Sequence, residues 1–390
     1  MDIAFVLVAV LWVGISILGV LGNLSLRRLP RRRGERPSVS IVVPARNEAE
    51  RIETTVKGLT RQQDVDAQII VVDDGSTDAT GQLLDRMSAE HPSLEVLRVD
   101  EVPEGWLGKC HACSLGAARA RGDWILFVDA DTSCSDDVVN RAVAAAVDQR
   151  SDHLCLMPDL GRCSLGGQAT ISMTMFGILG LSVGVNHDLP FGYVGVGSFT
   201  LFRRSAYDAI GGHAGVRMEV VEDLALGYRA RRHGFRSRVY MATEDVEVRW
   251  AHSIRSFVAV LEKNVFAKQG FSAGRLALES CAVLSLWGLP IWGWFAGSSV
   301  GLAAGLAMTL AVLPAIWTAT RYRWNLLAGV LAPWMLPVLV FASVNSARRV
   351  LSQGGVNWRG AHYPLAELRS SRGLVSQLNG ESGEGCGDEP

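Results

Sequence analysis

Charge is missing from three long stretches of this chain, and alternation fills the region between them. Residues 3–26, 280–320 and 324–347 carry no Asp, Glu, Lys or Arg. The first is long enough for one helix across a ~30 Å hydrocarbon core, and the second is long enough for two. From residue 30 to about 275 short apolar runs alternate with helical patterns. The runs 39–43, 68–72, 94–99 and 124–128 read as strands, and 47–59, 78–89, 109–120 and 224–233 as helices, with Ser76-Thr77-Asp78 placed to cap the second helix. This spacing predicts an α/β domain with a mainly parallel sheet whose sites lie at the carboxyl ends of its strands.

Charge at the edges of the apolar runs gives them a direction. Asp2 is the only charge before the first run, and Arg27, Arg28, Arg31, Arg32 and Arg33 follow it, the reverse of a cleaved signal peptide. The pattern predicts a retained signal-anchor over 1–29 that leaves 30–275 in the cytoplasm. A membrane segment of two to three helices follows over 276–347. Arg348, Arg349, Arg359, Arg369 and Arg372 then ask for a cytoplasmic tail over 348–390, which three complete spans cannot deliver. One segment is therefore interfacial or re-entrant, broken either at Pro290 or at Pro333 and Pro337. The end of the tail, 377–390, is rich in Gly, Glu and Ser and reads as disordered. Residues 163–186 are uncharged too, but their Gly, Ser and Thr content makes them weakly apolar. They read as an interfacial segment near an acceptor groove, with a plain core helix as the alternative, and 192–197 as a flexible glycine loop at the site.

Across 390 residues, 38 Lys+Arg balance 39 Asp+Glu, leaving no basic excess to hold a phosphate backbone, so general nucleic-acid binding is excluded. At 48% hydrophobic residues, disorder is excluded for most of the chain. Seven scattered cysteines read as reduced thiols. Cys110-His111-Ala112-Cys113 has the spacing of half a zinc motif, but no second half follows, and it reads as part of a helix. His213, His233 and His252 read as surface or core residues.

The chemistry collects where strands end. Asp73 and Asp74 close an apolar run before the turn at Gly75, placed to accept hydrogen bonds from a base or a ribose. Asp129-Ala130-Asp131 closes another, with oxygens suited to Mg²⁺ or Mn²⁺. Glu222-Asp223 opens a helix, where a carboxylate serves either the helix N-terminus or a general base.

Taken in order, Pro44-Ala45-Arg46-Asn47-Glu48, Asp73-Asp74-Gly75-Ser76, Gly105-Trp106-Leu107-Gly108-Lys109, Asp129-Ala130-Asp131 and Glu222-Asp223 resemble glycosyltransferase family 2, inverting enzymes of GT-A fold. The resemblance covers about residues 38–268. Within the family the chain is most similar to the membrane enzymes that glycosylate carotenoids, hopanoid-associated lipids and ceramide. It implies that Pro44, Asn47 and Glu48 line a nucleotide pocket, that Asp73 or Asp74 holds uracil, and that Asp129 and Asp131 hold the sugar-nucleotide diphosphate through a divalent ion. It also implies that Asp223 is the base, with Lys109 a second cation near the phosphates. The expected protein is an integral protein of the cell (inner) membrane that transfers sugar from a nucleotide-sugar donor, a UDP-hexose, to a membrane lipid.

The chain departs from the family in one place. The Gln/Arg-x-x-Arg-Trp motif of processive and ceramide-type members is missing: Arg249-Trp250 and Arg323-Trp324 are preceded by Val246 and Thr320. The segment 262–266, with Lys263 and Asn264, stands nearer the expected distance, so Glu222, Trp250, Lys263 and Asn264 are the acceptor-side candidates. The alternatives are a processive polysaccharide synthase and a non-catalytic subunit that keeps the sugar-nucleotide fold.

Overall fold

A computed structural model describes residues 1–161, 163–358 and 361–370. The predicted disorder of 377–390 lies outside these residues. Nine strands build the α/β domain: β1 Ser38–Ala45, β2 Asp66–Asp73, β3 Leu94–Arg98, β4 Trp124–Phe127, β5 Thr132–Cys134, β6 His153–Met157, β7 Thr200–Arg203, β8 Ser237–Met241 and β9 Val246–Val248. Seven form one sheet in the order β3-β2-β1-β4-β7-β6-β8, parallel except for β7, which runs against both of its neighbours. β5 and β9 pair as a separate antiparallel ribbon.

The sheet is covered on both faces, and a period of two divides its apolar residues between them. Val39, Ile41, Val43 and Leu126 pack into one core, while Val42, Ile70, Ile125 and Phe127 pack into the other. The helix expected over 47–59 begins only at Ile52. Asn47 stands at φ 55°, and its side chain accepts from the Thr77 amide at 2.8 Å, so the chain after β1 is tied down as a turn. The next helix, Thr80–Glu90, has Ala79 at its N-cap with no side-chain cap, and Asp78, one residue earlier, accepts from the Thr80 amide at 2.9 Å.

Among the described residues, five helical segments are long and apolar enough to cross a membrane: Asp2–Ser25, Leu165–Asn186, Ala273–Gly293, Ser299–Arg321 and Leu326–Gln353. Leu165–Asn186 leaves the sheet after β6 and returns to β7, which pairs directly with β6, so both of its ends belong to one sheet. Pro290 does not break its helix, although its ring removes the N–H that would bond to the Leu286 carbonyl. The indole N–H of fully buried Trp12, on Asp2–Ser25, donates to that carbonyl instead, at 2.8 Å. The interruption falls in Leu326–Gln353, where a 3₁₀ turn at Ala332–Met335 contains Pro333 and Pro337 opens the following helix. Arg321 donates to the carbonyls of Asn23 and Leu26, the free end of the first helix. Arg28, Arg31 and Arg323 converge on Glu244 of the α/β domain. After Gln353 the chain forms a hairpin, β10 Gly355–Trp358 against β11 Ala361–Pro364, and ends its described course in the helix Leu365–Ser370.

Candidate active site

The carboxyl ends of β1, β2 and β4 open into a cleft of about 880 Å³. Pro44, Glu48, Asp74, Lys109, Asp129, Asp131, Glu222, Asp223, Trp250, Lys263 and Asn264 all line it, so residues spread over more than two hundred positions meet there. Asn47 and Asp73 are not in the lining. Asn47 braces the turn after β2, and Asp73 accepts from the Ser76 amide at 3.0 Å, so both shape the loop that presents Asp74.

Each acidic strand end has a cation beside it. Arg46 pairs with Asp74 at 3.5 Å and Arg51 with Asp131 at 3.2 Å. Lys109 sits between Asp129 at 2.7 Å and Glu222 at 2.6 Å. Burial alone would lower its pKa, but the two carboxylates outweigh burial and hold the ammonium well above its ordinary value. Lys109 is therefore a fixed positive charge that ties the Asp-x-Asp loop to the Glu222–Arg232 helix. Arg46 stood in the first motif without a role and Arg51 was not singled out, because an arginine in a helical or turn segment has no signature until its carboxylate is placed beside it.

Asp223 is the carboxyl group most altered by its surroundings. Burial raises its pKa to about 6, Glu222 adds to the rise and Lys109 opposes it. Gly195 packs so closely on the Asp223 backbone that a β-carbon would collide with it. The loop 192–197 is thus glycine-rich at this point for close approach. Burial also raises the pKa of Asp74, against the pull of Arg46.

Apolar side chains line the same cleft: Met175, Ile178 and Leu181 of Leu165–Asn186, and Ala259 and Val260 of the helix Ile254–Leu261, with Trp250 and Tyr193 also in the wall. Of the two Arg-Trp pairs, Arg249-Trp250 lines the cleft, whereas Arg323 pairs with Glu244 and Trp324 stacks on Tyr322. The Asn264 Oδ1 is buried without a hydrogen-bond partner among the described residues. The Cys110 thiol is spent on the carbonyls of Val216 and Glu219, and among the described residues no cluster of three His, Cys, Asp or Glu side chains is arranged for a metal.

Asp129 and Asp131 fit a divalent cation of the hard, oxygen-seeking kind. They offer carboxylate oxygens to one cleft, and a diphosphate with water completes such a shell where the protein supplies few ligands.

A model of glycosyl transferase family 2 matches residues 40–211. The 4,4'-diaponeurosporenoate glycosyltransferase of Staphylococcus haemolyticus is 27% identical over 220 residues, 52% of this chain and 54% of that protein. The enzyme of the same name from Staphylococcus aureus is 31% identical over 199 residues, 49% of this chain and 50% of that protein. The chain thus spans about half the length of these curated relatives. Among solved structures, the mannosyltransferase PcManGT from Pyrobaculum calidifontis, in complex with GDP-Man and Mn²⁺, shares the fold. Its TM-score is 0.53 at 17% identity, covering 88% of this chain and 98% of that one. Residues 40–211 are therefore similar to glycosyl transferase family 2, and the sheet that carries them has a GT-A-like fold.

Proposed function

We propose that the protein is a membrane-embedded inverting glycosyltransferase that moves a sugar from a nucleotide-sugar donor, a UDP-hexose, to a lipid acceptor at the cytoplasmic face. The observation that carries this reading is the continuity of the cleft. Its carboxylates and cations suit a nucleotide diphosphate, the apolar residues in its lining suit a hydrocarbon tail, and Asp223 belongs to the same wall.

The roles follow from the chemistry of each group. Asp74, beside Arg46, accepts from the base of the donor, with Pro44 and Glu48 in the pocket wall. Asp129 and Asp131 hold Mg²⁺ or Mn²⁺, which when bound neutralises charge on the departing diphosphate. Lys109 adds a fixed cation on the same side. Asp223 takes the proton of the acceptor hydroxyl as its oxygen bonds to the anomeric carbon, while the bond to the nucleoside diphosphate breaks on the opposite face. Glu222, Trp250, Lys263 and Asn264 form the acceptor side, where the unpartnered Asn264 oxygen suits a hydroxyl donor.

The helices supply the membrane. We place Arg27 to Arg33, Arg321 and Arg323 at the cytoplasmic surface. The segment Leu326–Gln353 starts beside Arg323, which reaches Glu244, and ends with Gln353 in the cleft wall. Both of its ends are at the α/β domain, so it reads as re-entrant, with its turn at Ala332–Met335. That removes the parity conflict of three full spans and a cytoplasmic tail.

The test is a donor screen on the protein in nanodiscs: Mg²⁺ or Mn²⁺, each common UDP- and GDP-sugar, and a total lipid extract, following free nucleotide and labelled lipid together. One donor should yield a labelled lipid, and Asp223→Asn should still bind that donor while turnover falls at least ~100-fold. Label appearing in polymer, or donor binding without any turnover, would overturn the reading.

A further inference from the structure

The Gly-Trp-Leu-Gly-Lys segment was singled out in the sequence, yet only Lys109 of it has a task in the chemistry above. Trp106, Leu107 and Gly108 instead meet the far C-terminal end of the described chain. The Gly108 amide, first of the helix Gly108–Arg119, donates to the Tyr363 hydroxyl at 3.0 Å across 255 residues. Leu107 shares one apolar cluster with Val350, Val356 and Leu368, and Trp106, Tyr363 and Leu365 pack against it. Arg369 closes the far side by donating to the Phe271 carbonyl at 2.8 Å. The same segment supplies cleft wall through Gln353, Gly355, Val356 and Asn357.

We propose that residues 353–358 and 361–364 form a strap that completes the active site, and that Tyr363 is a positioning residue that fixes the Gly108–Lys109 corner. Gly108 lies so close to Asp74 that a β-carbon there would strike the carboxylate, so a displacement of Gly108 is felt at both Asp74 and Lys109. The strap lies outside the matched residues, 40–211, and joins the membrane helices to the Gly108–Lys109 corner. Its second task is to exclude water, which would otherwise compete with the acceptor for the sugar. This inference rests on the transferase reading.

Two full-length variants in nanodiscs test it. Tyr363→Phe keeps the ring and removes the hydroxyl. Gly355→Val pushes the two strands of the hairpin apart, because a β-carbon at Gly355 collides with the Tyr363 carbonyl. Neither position is a ligand of the donor. Tyr363→Phe should weaken binding of the donor found in the screen about tenfold with the melting temperature unchanged. Gly355→Val should raise the ratio of free nucleotide to labelled lipid severalfold. Wild-type affinity in the first together with a wild-type ratio in the second would overturn the strap while leaving the transferase standing. A wild-type protein that neither binds nor turns over any donor would overturn both.

Discussion

Asp223 and Lys109 show how a few ångströms decide chemistry. A carboxyl group with a pKa of about 6 is half protonated near the lower edge of the physiological range, and only its ionised form can accept the hydroxyl proton. The expected pH profile of kcat/KM rises with pH, about tenfold per unit below 6, and levels off above it. Glu222→Gln should move this inflection downward, because the neighbouring negative charge helps to raise it. A profile flat from pH 5 to 8 would remove Asp223 from the base role. At this scale the sequence was informative wherever a residue's position followed from its strand: Asp74, Asp129 and Asp131 stand at ends that the apolar runs had already marked. It was silent on pairing. Nothing local says that Lys109 will bridge Asp129 and Glu222, or that Asn47 and Asp73 will be used up in shaping a turn.

Among the elements, helix Leu165–Asn186 carries most of what sequence reading leaves open. Its composition suits a weak span, a surface helix or a core helix, and only the pairing of β6 with β7 shows that both of its ends return to one sheet. The prolines teach a similar lesson. Pro290 and Pro333 look alike in sequence, but the carbonyl freed by Pro290 finds the Trp12 indole and the helix continues, while Pro333 lies in a 3₁₀ turn. Trp12→Phe should leave the Leu286 carbonyl unsatisfied in an apolar setting and destabilise the protein by about 1–3 kcal/mol. Thermal unfolding in detergent measures this. No loss of stability would mean that water or lipid reaches the carbonyl after all.

For the whole molecule, one cleft is lined both by the acidic strand ends and by apolar residues of Leu165–Asn186 and Ile254–Leu261, elements far apart along the chain. Ile178→Trp should fill the space beside these apolar residues, cutting transfer to lipid at least ~10-fold while the donor binds as before. Unchanged transfer would place the acceptor elsewhere. The acidic part of the lining was legible because the motifs at Pro44, Asp73 and Asp129 stand at or just past the ends of β1, β2 and β4, which the apolar runs had marked. Of the rest of the lining, Trp250 and Asn264 were named from the chain, whereas Met175 and Gln353 join them only through tertiary packing.

The contact between Trp12 and Leu286 also sets an order of events. The two residues are 274 positions apart, so the first helix is made long before its partner, and the α/β domain between them is translated while the Trp12 indole has no Leu286 carbonyl to meet. Closure of the helical bundle is then the late step of biogenesis, reached only after the catalytic sheet has had time to form.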